Sequence, residues 1–152
     1  MHPFPSVSDI VQAFPSEATI FAFAKFDTVK EYFQITLDEE SSKLTKFILP
    51  FGRYLYKRIP QGQNASSDKW CIRSDEVIEG LPWARKLVDN IIIWALNISE
   101  LSLQINKITS RCEKSNIILS KKKFVIAEEI SFAGYVTSKF GVKPDSAHVR
   151  AI

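Results

Sequence analysis

Cysteine is nearly absent. Cys71 and Cys112 are the two in a chain of 152 residues. They stand far apart and lack the spacing of a metal site, so they read as buried thiols of a reducing compartment. Long hydrophobic runs are missing as well. The longest is strand-length, far short of a membrane crossing, so no membrane partner is expected. The opening "MHPFPSVSDI" carries neither a basic nor an apolar segment, and no secretion signal is read there. These absences together predict an intracellular protein, cytoplasmic or nuclear. No repeat or low-complexity tract is present. Neither sign of charge dominates: the net charge of +3 permits a nucleic-acid partner without requiring one.

What is present is an ordinary globular composition, 45% hydrophobic, 24% charged and 12% aromatic, in a length that suits one domain with a real core. Ser8 can cap a short helix through Ala13. "TIFAFAKFD", Thr19 to Asp27, is aromatic and β-branched and reads as a strand ending at Asp27. "VKEYF" reads as a tight turn or short helix, and "QITL" as another strand. "KFILPFGRYLYKRI" reads as two strands joined at "PFG", where Pro50 and Gly52 punctuate the run.

A helix is expected from about Ala65 to Gly80, with Trp70, Ser74, Val77, Ile78 and Leu81 along one face. "ARKLVDNIIIWAL" reads as a hairpin with Asp89 and Asn90 at its tip. A second helix should start at Ser99, with Leu101, Ile105, Ile108 and Cys112 at helical spacing. "KKKFVIAEEISFAGYVTS" reads as a hairpin turning near Glu128 and Glu129. The chain stops at Ile152 in what reads as the first turn of another helix. Helices separating antiparallel strands predict an α+β fold, a sheet with helices packed on one face.

Two aspartates, Asp27 and Asp89, end apolar strands. Asp89 and Asn90 suit a two-residue turn and need no further explanation. They equally suit a metal site. Carboxylates at the ends of neighbouring strands can hold paired Mg²⁺ ions about 3.5–4 Å apart, activating an attacking oxygen and stabilising a leaving one. Mg²⁺ takes oxygen ligands, usually one or two carboxylates plus substrate phosphates.

The flanking residues carry more. "FAKFDTVKEYFQITLDEESSKLTKFILPFGRYLYKRIPQGQNASSDKW", then "GLPWARKLVDNIIIWA", "LSKKKF" and "SFAGYVTSKFGVKPD", resemble the reverse transcriptase of gypsy-type LTR retrotransposons. The resemblance runs from about Phe4 to Ile152 with five motifs in the family's order. It implies a right-hand polymerase palm with partial fingers over residues 1–152, about 41–64 being a fingers-like hairpin region. The implied reaction is RNA-directed DNA synthesis, with Mg²⁺ or Mn²⁺ as cofactor and an RNA or DNA template–primer and deoxynucleotides as partners. Asp27 matches the first catalytic aspartate, and Asp89 with Asn90 the aspartate pair at a hairpin tip. Asp27 and Asp89 are the implied metal ligands. Tyr32 matches the aromatic that excludes a 2′-hydroxyl, and Gln61 and Gly62 the loop lining the nucleotide pocket. One of Lys121, Lys122 and Lys123, taken as Lys122, matches the lysine near the leaving pyrophosphate. Phe132, Gly134 and Tyr135 resemble the hairpin that grips the primer end. Each has a plainer reading: core aromatics, an ordinary turn, a solvated strand end, a bulge glycine.

The chain departs from the family pattern at three residues. Asn90 replaces an aspartate, keeping one oxygen ligand but losing a charge that bound cations need. Glu31 replaces a glycine common before the aromatic gate, and Gln63 an apolar residue. The fingers segment that contacts triphosphate, the thumb, and ribonuclease H, protease or integrase segments are not recognised in it. Neighbouring polyprotein domains or a second subunit are therefore further expected partners, and activity is expected to be weak.

One feature points to nucleic acid without the resemblance. From Ser41 to Ser67 there are five basic residues, Lys43, Lys46, Arg53, Lys57 and Arg58, and no acidic ones. Phe47, Phe51, Tyr54 and Tyr56 are interleaved. Cations pair with phosphates and aromatics stack bases; a hairpin with an apolar inner and a basic outer face would show the same pattern. Three readings stay open: an impaired polymerase palm, a non-catalytic remnant that binds nucleic acid or protein, and a generic α+β domain.

Overall fold

The computed structural model describes residues 6–12, 20–62, 64–87, 89–132 and 134–149. Along the chain run α1 (Val7–Gln12), β1 (Ala22–Asp27), a 3₁₀ turn (Glu31–Gln34), α2 (Glu39–Lys43), β2 (Phe47–Leu49) and β3 (Gly52–Tyr54). There follow α3 (Asn64–Ile78), β4 (Ala84–Leu87), β5 (Asn90–Ala95) and α4 (Ile98–Lys114). The chain continues through β6 (Val125–Ala127), β7 (Glu129–Phe132), β8 (Tyr135–Ser138), β9 (Gly141–Pro144) and α5 (Ser146–Val149).

β1 and β5 lack a polar face because both of their faces are covered. They are the inner strands of an antiparallel sheet ordered β4-β5-β1-β6. Alternate residues point to opposite faces. Ala22, Ala24, Phe26, Ile91 and Ile93 meet Trp70 and Val77 of α3 and Leu101, Ile108 and Cys112 of α4. Phe23, Ile92 and Trp94 meet Ile10 of α1 and Ile130 and Phe132 of β7 on the other side. The two long helices therefore share one face. Fully burying an apolar side chain contributes about 1.5–3 kcal/mol, so this double coverage fixes the β1–β5 register. A one-residue slip would exchange the two cores.

α3 buries Trp70, Ser74 and Val77 on the expected face. α4 begins one residue earlier than the spacing suggests, because Asn97 is its cap and accepts from the Glu100 amide at 2.8 Å.

Four expectations are corrected. The first helix is capped by Ser6, not Ser8: the Asp9 amide donates to the Ser6 hydroxyl, and the Ser6 amide donates to the Asp9 carboxylate at 2.8 Å. The reciprocal pair satisfies two free amides where a single cap satisfies one. Its expected end at Ala13 lies outside the described residues. "QITL" is no strand: Gln34 closes the 3₁₀ turn and the three residues after it join no sheet. It meets the 57–59 segment through a single bridge, Thr36 to Arg58, and Pro60 offers no N–H to extend the pairing.

The last expected hairpin does not turn at Glu128 and Glu129. β6 adds to the edge of β1, a bend follows, and β7 starts a separate β7-β8-β9 sheet in which Phe132 pairs with Tyr135. Finally, Leu87 pairs directly with Asn90 where the β4–β5 ladder ends. Asn90 is the first residue of β5, not the second of the tip. The 150–152 region falls outside the described residues.

Candidate active site

Strand alternation places Asp27 and Asn90 on the sheet face that carries Phe23 and Trp94. They are direct cross-strand partners at the end of that face. The loop residue Asp89 is drawn to the same end by backbone bonds. The Thr28 amide donates to the Asp89 carbonyl at 3.0 Å, and the Thr28 hydroxyl donates to it at 3.2 Å. Positions 62 residues apart in sequence (89 − 27) thus meet at one corner.

Asp27 is buried, and its main-chain carbonyl accepts from the Ser120 amide at 2.7 Å. That bond brings the 121–123 turn over the corner. Lys123, largely exposed, reaches back and pairs with Asp27, Nζ lying 3.4 Å from Oδ2 and 3.5 Å from Oδ1. Of the three lysines it is Lys123, not Lys122, that touches the site; Lys122 is exposed in the turn. Asn90 Nδ2 donates to Asp89 Oδ1 at 3.1 Å, so its amide also faces the corner.

Tyr32 lies in the 3₁₀ turn after β1. It packs on the helix-side core, and its hydroxyl hydrogen-bonds the Ser67 hydroxyl of α3 at 3.2 Å. The left-handed residue in this turn is Lys30, at φ 46°, so Glu31 sits in the 3₁₀ turn without that strain. Gln61 and Gly62 form an exposed turn just before α3, with Gly62 at φ 88°, a conformation glycine adopts freely. The Ser66 hydroxyl anchors it by donating to the Pro60 carbonyl at 2.8 Å. Gln63 lies outside the described residues.

The β7–β8 hairpin covers the face that carries Asp27. Phe132 is packed within the second core, Gly134 has φ 79°, and Tyr135 is partly exposed. A substrate could therefore meet Tyr135 and the Gly134 backbone, whereas Phe132 acts from below.

The basic stretch does not act as one face. Phe47 stacks on Tyr54 with ring centroids 5.7 Å apart, while Ile48 pairs with Arg53 on the other side of the β2–β3 hairpin. Lys46, Arg53 and Lys57 are exposed. Lys43 instead pairs with Glu39 and Glu40 within α2. Arg58 donates to the Gln34 carbonyl at 3.3 Å.

Sequence reading missed Thr28 and Ser120, which fix the corner, and Ser67, which holds Tyr32, through backbone and hydroxyl contacts that leave no pattern. It also missed Lys86. This lysine is buried on β4, donates to the Cys71 carbonyl and the Ser74 hydroxyl, and pairs with Asp75, tying β4 to α3.

Among the described residues no group of three or more histidine, cysteine, aspartate or glutamate side chains converges. The donor set at the corner is two carboxylates and one amide oxygen. Such hard oxygen donors suit Mg²⁺ or Mn²⁺ when substrate phosphates complete the shell. Asp27 and Asp89 would hold the cation.

An antiparallel sheet backed by two helices, with aspartates at one end and a hairpin sheet across its open face, defines a right-hand polymerase palm with partial fingers. The chain belongs to the reverse transcriptase family: the family model described as reverse transcriptase (RNA-dependent DNA polymerase) matches residues 4–137. It is similar to the enzymatic polyprotein of cauliflower mosaic virus (strain NY8153), 30% identical over 124 residues, 80% of this chain and 18% of that protein. It is 29% identical over 133 residues to the retrovirus-related Pol polyprotein from transposon 297 of Drosophila melanogaster, 86% of this chain and 13% of that protein. The chain thus spans under a fifth of these relatives' length. The fold matches the foamy viral protease-reverse transcriptase in complex with RNA/DNA hybrid, TM-score 0.84 at 18% identity, covering 95% of this chain and 20% of that one. The dsDNA complex of the foamy viral enzyme gives a TM-score of 0.82, covering 97% of this chain and 31% of that one.

Proposed function

We propose that this chain is the palm of an RNA-directed DNA polymerase from a gypsy-type LTR element, and that Asn90 impairs it. The reaction is attack of a primer 3′-hydroxyl on the α-phosphate of a deoxynucleotide. The observation that carries the reading is the meeting of Asp27, Asp89 and Asn90 at one corner of the sheet, beside Lys123. A bound Mg²⁺ or Mn²⁺ would supply charge stabilisation for the attacking and leaving oxygens. The residues of the chain do the rest. Asp27 and Asp89 hold the cation, and Lys123 stands where it can neutralise or protonate a leaving pyrophosphate. Tyr32 is fixed by Ser67 as a wall beside the sugar, and Gln61 and Gly62 border the base. The β7–β8 hairpin supports the primer end through Gly134 and Tyr135. Lys46, Arg53 and Lys57 contact the template strand.

The non-catalytic reading is favoured by one observation. Asn90 brings an amide to the corner and donates it to Asp89, occupying an oxygen that a cation would use. The two readings separate when this chain replaces the matching segment of a complete reverse transcriptase. Slow DNA synthesis is expected, lost in Asp27→Asn and raised in Asn90→Asp. No synthesis from either the unaltered chain or Asn90→Asp would overturn the polymerase reading. Equal rates from both would remove the claim of impairment.

A further inference from the structure

The central sheet has an edge that its own sequence leaves unblocked. β6 is the last strand in the order β4-β5-β1-β6, so among the described residues no strand pairs with its outer side. Such an edge offers unpaired backbone donors and acceptors to another chain, and proteins usually blunt it with a charge or a proline. β9, the last strand of the β7-β8-β9 sheet, carries Lys143 and ends at Pro144. β6 has neither device: it is Val125, Ile126 and Ala127. Val125 is 41% exposed and Ile126 49% exposed, so both apolar side chains are open to a partner.

Charge lies just outside the strand, and it is polarised. Lys121, Lys122 and Lys123 precede β6, Glu128 and Glu129 follow it, and all five are exposed. Lys123 is held by Asp27. Among the described residues no ion pair engages Lys121, Lys122, Glu128 or Glu129. A strand that is positive before it and negative after it complements its own reverse. The same strand laid parallel to itself would set lysine beside lysine.

Pairing with β1 fixes which way each side chain points. Ile126 lies opposite Ala24, on the face of the two long helices, and Val125 lies opposite Lys25, on the other face. Phe124 shares the helix face, its ring centroid 5.0 Å from that of Phe26. Directly opposed residues of an antiparallel pair share a face, so a symmetric pair must centre on one residue facing its own copy. Centring on Val125 sets Phe124 against Ile126 of the second copy, both on the helix face. It also brings Lys122 toward Glu128 and Lys121 toward Glu129, and leaves Lys123 on Asp27. Centring on Ile126 would draw Lys123 toward Glu129 and away from Asp27.

We propose that this edge joins two copies of the chain. β6 pairs antiparallel with β6 of the second copy about a two-fold axis at Val125, and the two four-stranded sheets become one. The same patch serves both copies, so the assembly closes as a dimer. The contact is one short strand from each copy, well below the roughly 1,200–2,000 Å² of stable interfaces, so association is weak, micromolar or above. The assignment is independent of the polymerase reading.

The test is sedimentation equilibrium of the full chain up to millimolar concentration, with charge-swapped variants. The unaltered chain should dimerise. Lys121→Glu with Lys122→Glu, and separately Glu128→Lys with Glu129→Lys, turn the attractions at both ends into repulsions. Each should raise the dissociation constant about tenfold or more. An equal mixture of the two variants restores opposite charges and should associate about tenfold more tightly than either alone. A cross-link keeps the test independent of how the swapped chains fold. Under mild oxidation Val125→Cys should form a disulfide between copies, because it faces itself, and Cys71 and Cys112 are buried and do not compete. Ile126→Cys should not, since diagonal neighbours stand about 7–8 Å apart and a disulfide spans less. A monomer at millimolar concentration, dimers indifferent to both swaps, or a mixture that does not associate would overturn the proposal. Cross-linking of Ile126→Cys as fast as Val125→Cys would overturn the two-fold at Val125.

Discussion

Asn90→Asp separates what the fold needs from what a cation needs. Asn90 is the direct partner of Asp27 and the chain neighbour of Asp89. Directly opposed residues in an antiparallel pair have Cβ atoms about 4.5–5.5 Å apart. A third carboxylate there meets two others, each repelling it by up to about 1 kcal/mol in a water-like medium. The Asn90–Asp89 side-chain bond is also lost, at about 1 kcal/mol. Lys123 offsets part of this. A net cost of about 1–2 kcal/mol corresponds to melting a few degrees lower, at about 2–4 °C per kcal/mol for a domain of this size.

A divalent ion reverses the sign. One added unit charge about 4 Å from a double charge attracts it by about 2 kcal/mol even in water, so affinity should rise on the order of tenfold or more. The assay is calorimetric titration with Mn²⁺ beside melting curves with and without it. Asn90→Asp should bind Mn²⁺ more tightly, melt lower without metal, and recover or exceed the original melting point with it. If Mn²⁺ affinity is unchanged, the three residues do not form one cation site, and the reasoning from their register fails.

Two further outcomes follow from buried groups. Burial pushes the Cys112 thiol up to about 11 from an ordinary 9.0, and the Cys71 thiol is raised by burial too, with Lys86 opposing. A thiol whose folded value is raised contributes stability below its unfolded value and loses it as pH climbs. Denaturant midpoints should therefore hold below about pH 9 and fall between about 9 and 11, and Cys112→Ala should flatten that fall. Asp75→Ala leaves the buried Lys86 ammonium without its counter-charge and should cost about 3 kcal/mol in urea unfolding, whereas Lys86→Met should stay within about 1 kcal/mol because Asp75 is part-exposed and hydrates.

The elements legible in the sequence are those whose pattern one burial rule decides. β1 and β5 are apolar on both faces because cores lie on both sides, and Trp70, Ser74 and Val77 repeat as one helical face against the sheet. Elements set by competition between partners were not legible. Val125–Ala127 can pair with the strand that follows it or with the free edge of β1, and local sequence does not rank the two. Ser6 and Ser8 are both capping residues, and Asp9 decides between them by closing the reciprocal bond.

The corner divides the same way. Asp27 and Asp89 announce themselves as acids ending apolar runs. The one-residue difference between Asn90 in the loop and Asn90 on the strand is invisible without the register, yet it changes the chemistry. In the loop its side chain could turn to solvent. On the strand the pleat commits it to Asp27's face. The two cores that fix that pleat hold any residue at position 90 toward the Asp27 carboxylate. The polymerase reading therefore turns on the charge of that residue, because the fold has already set its direction.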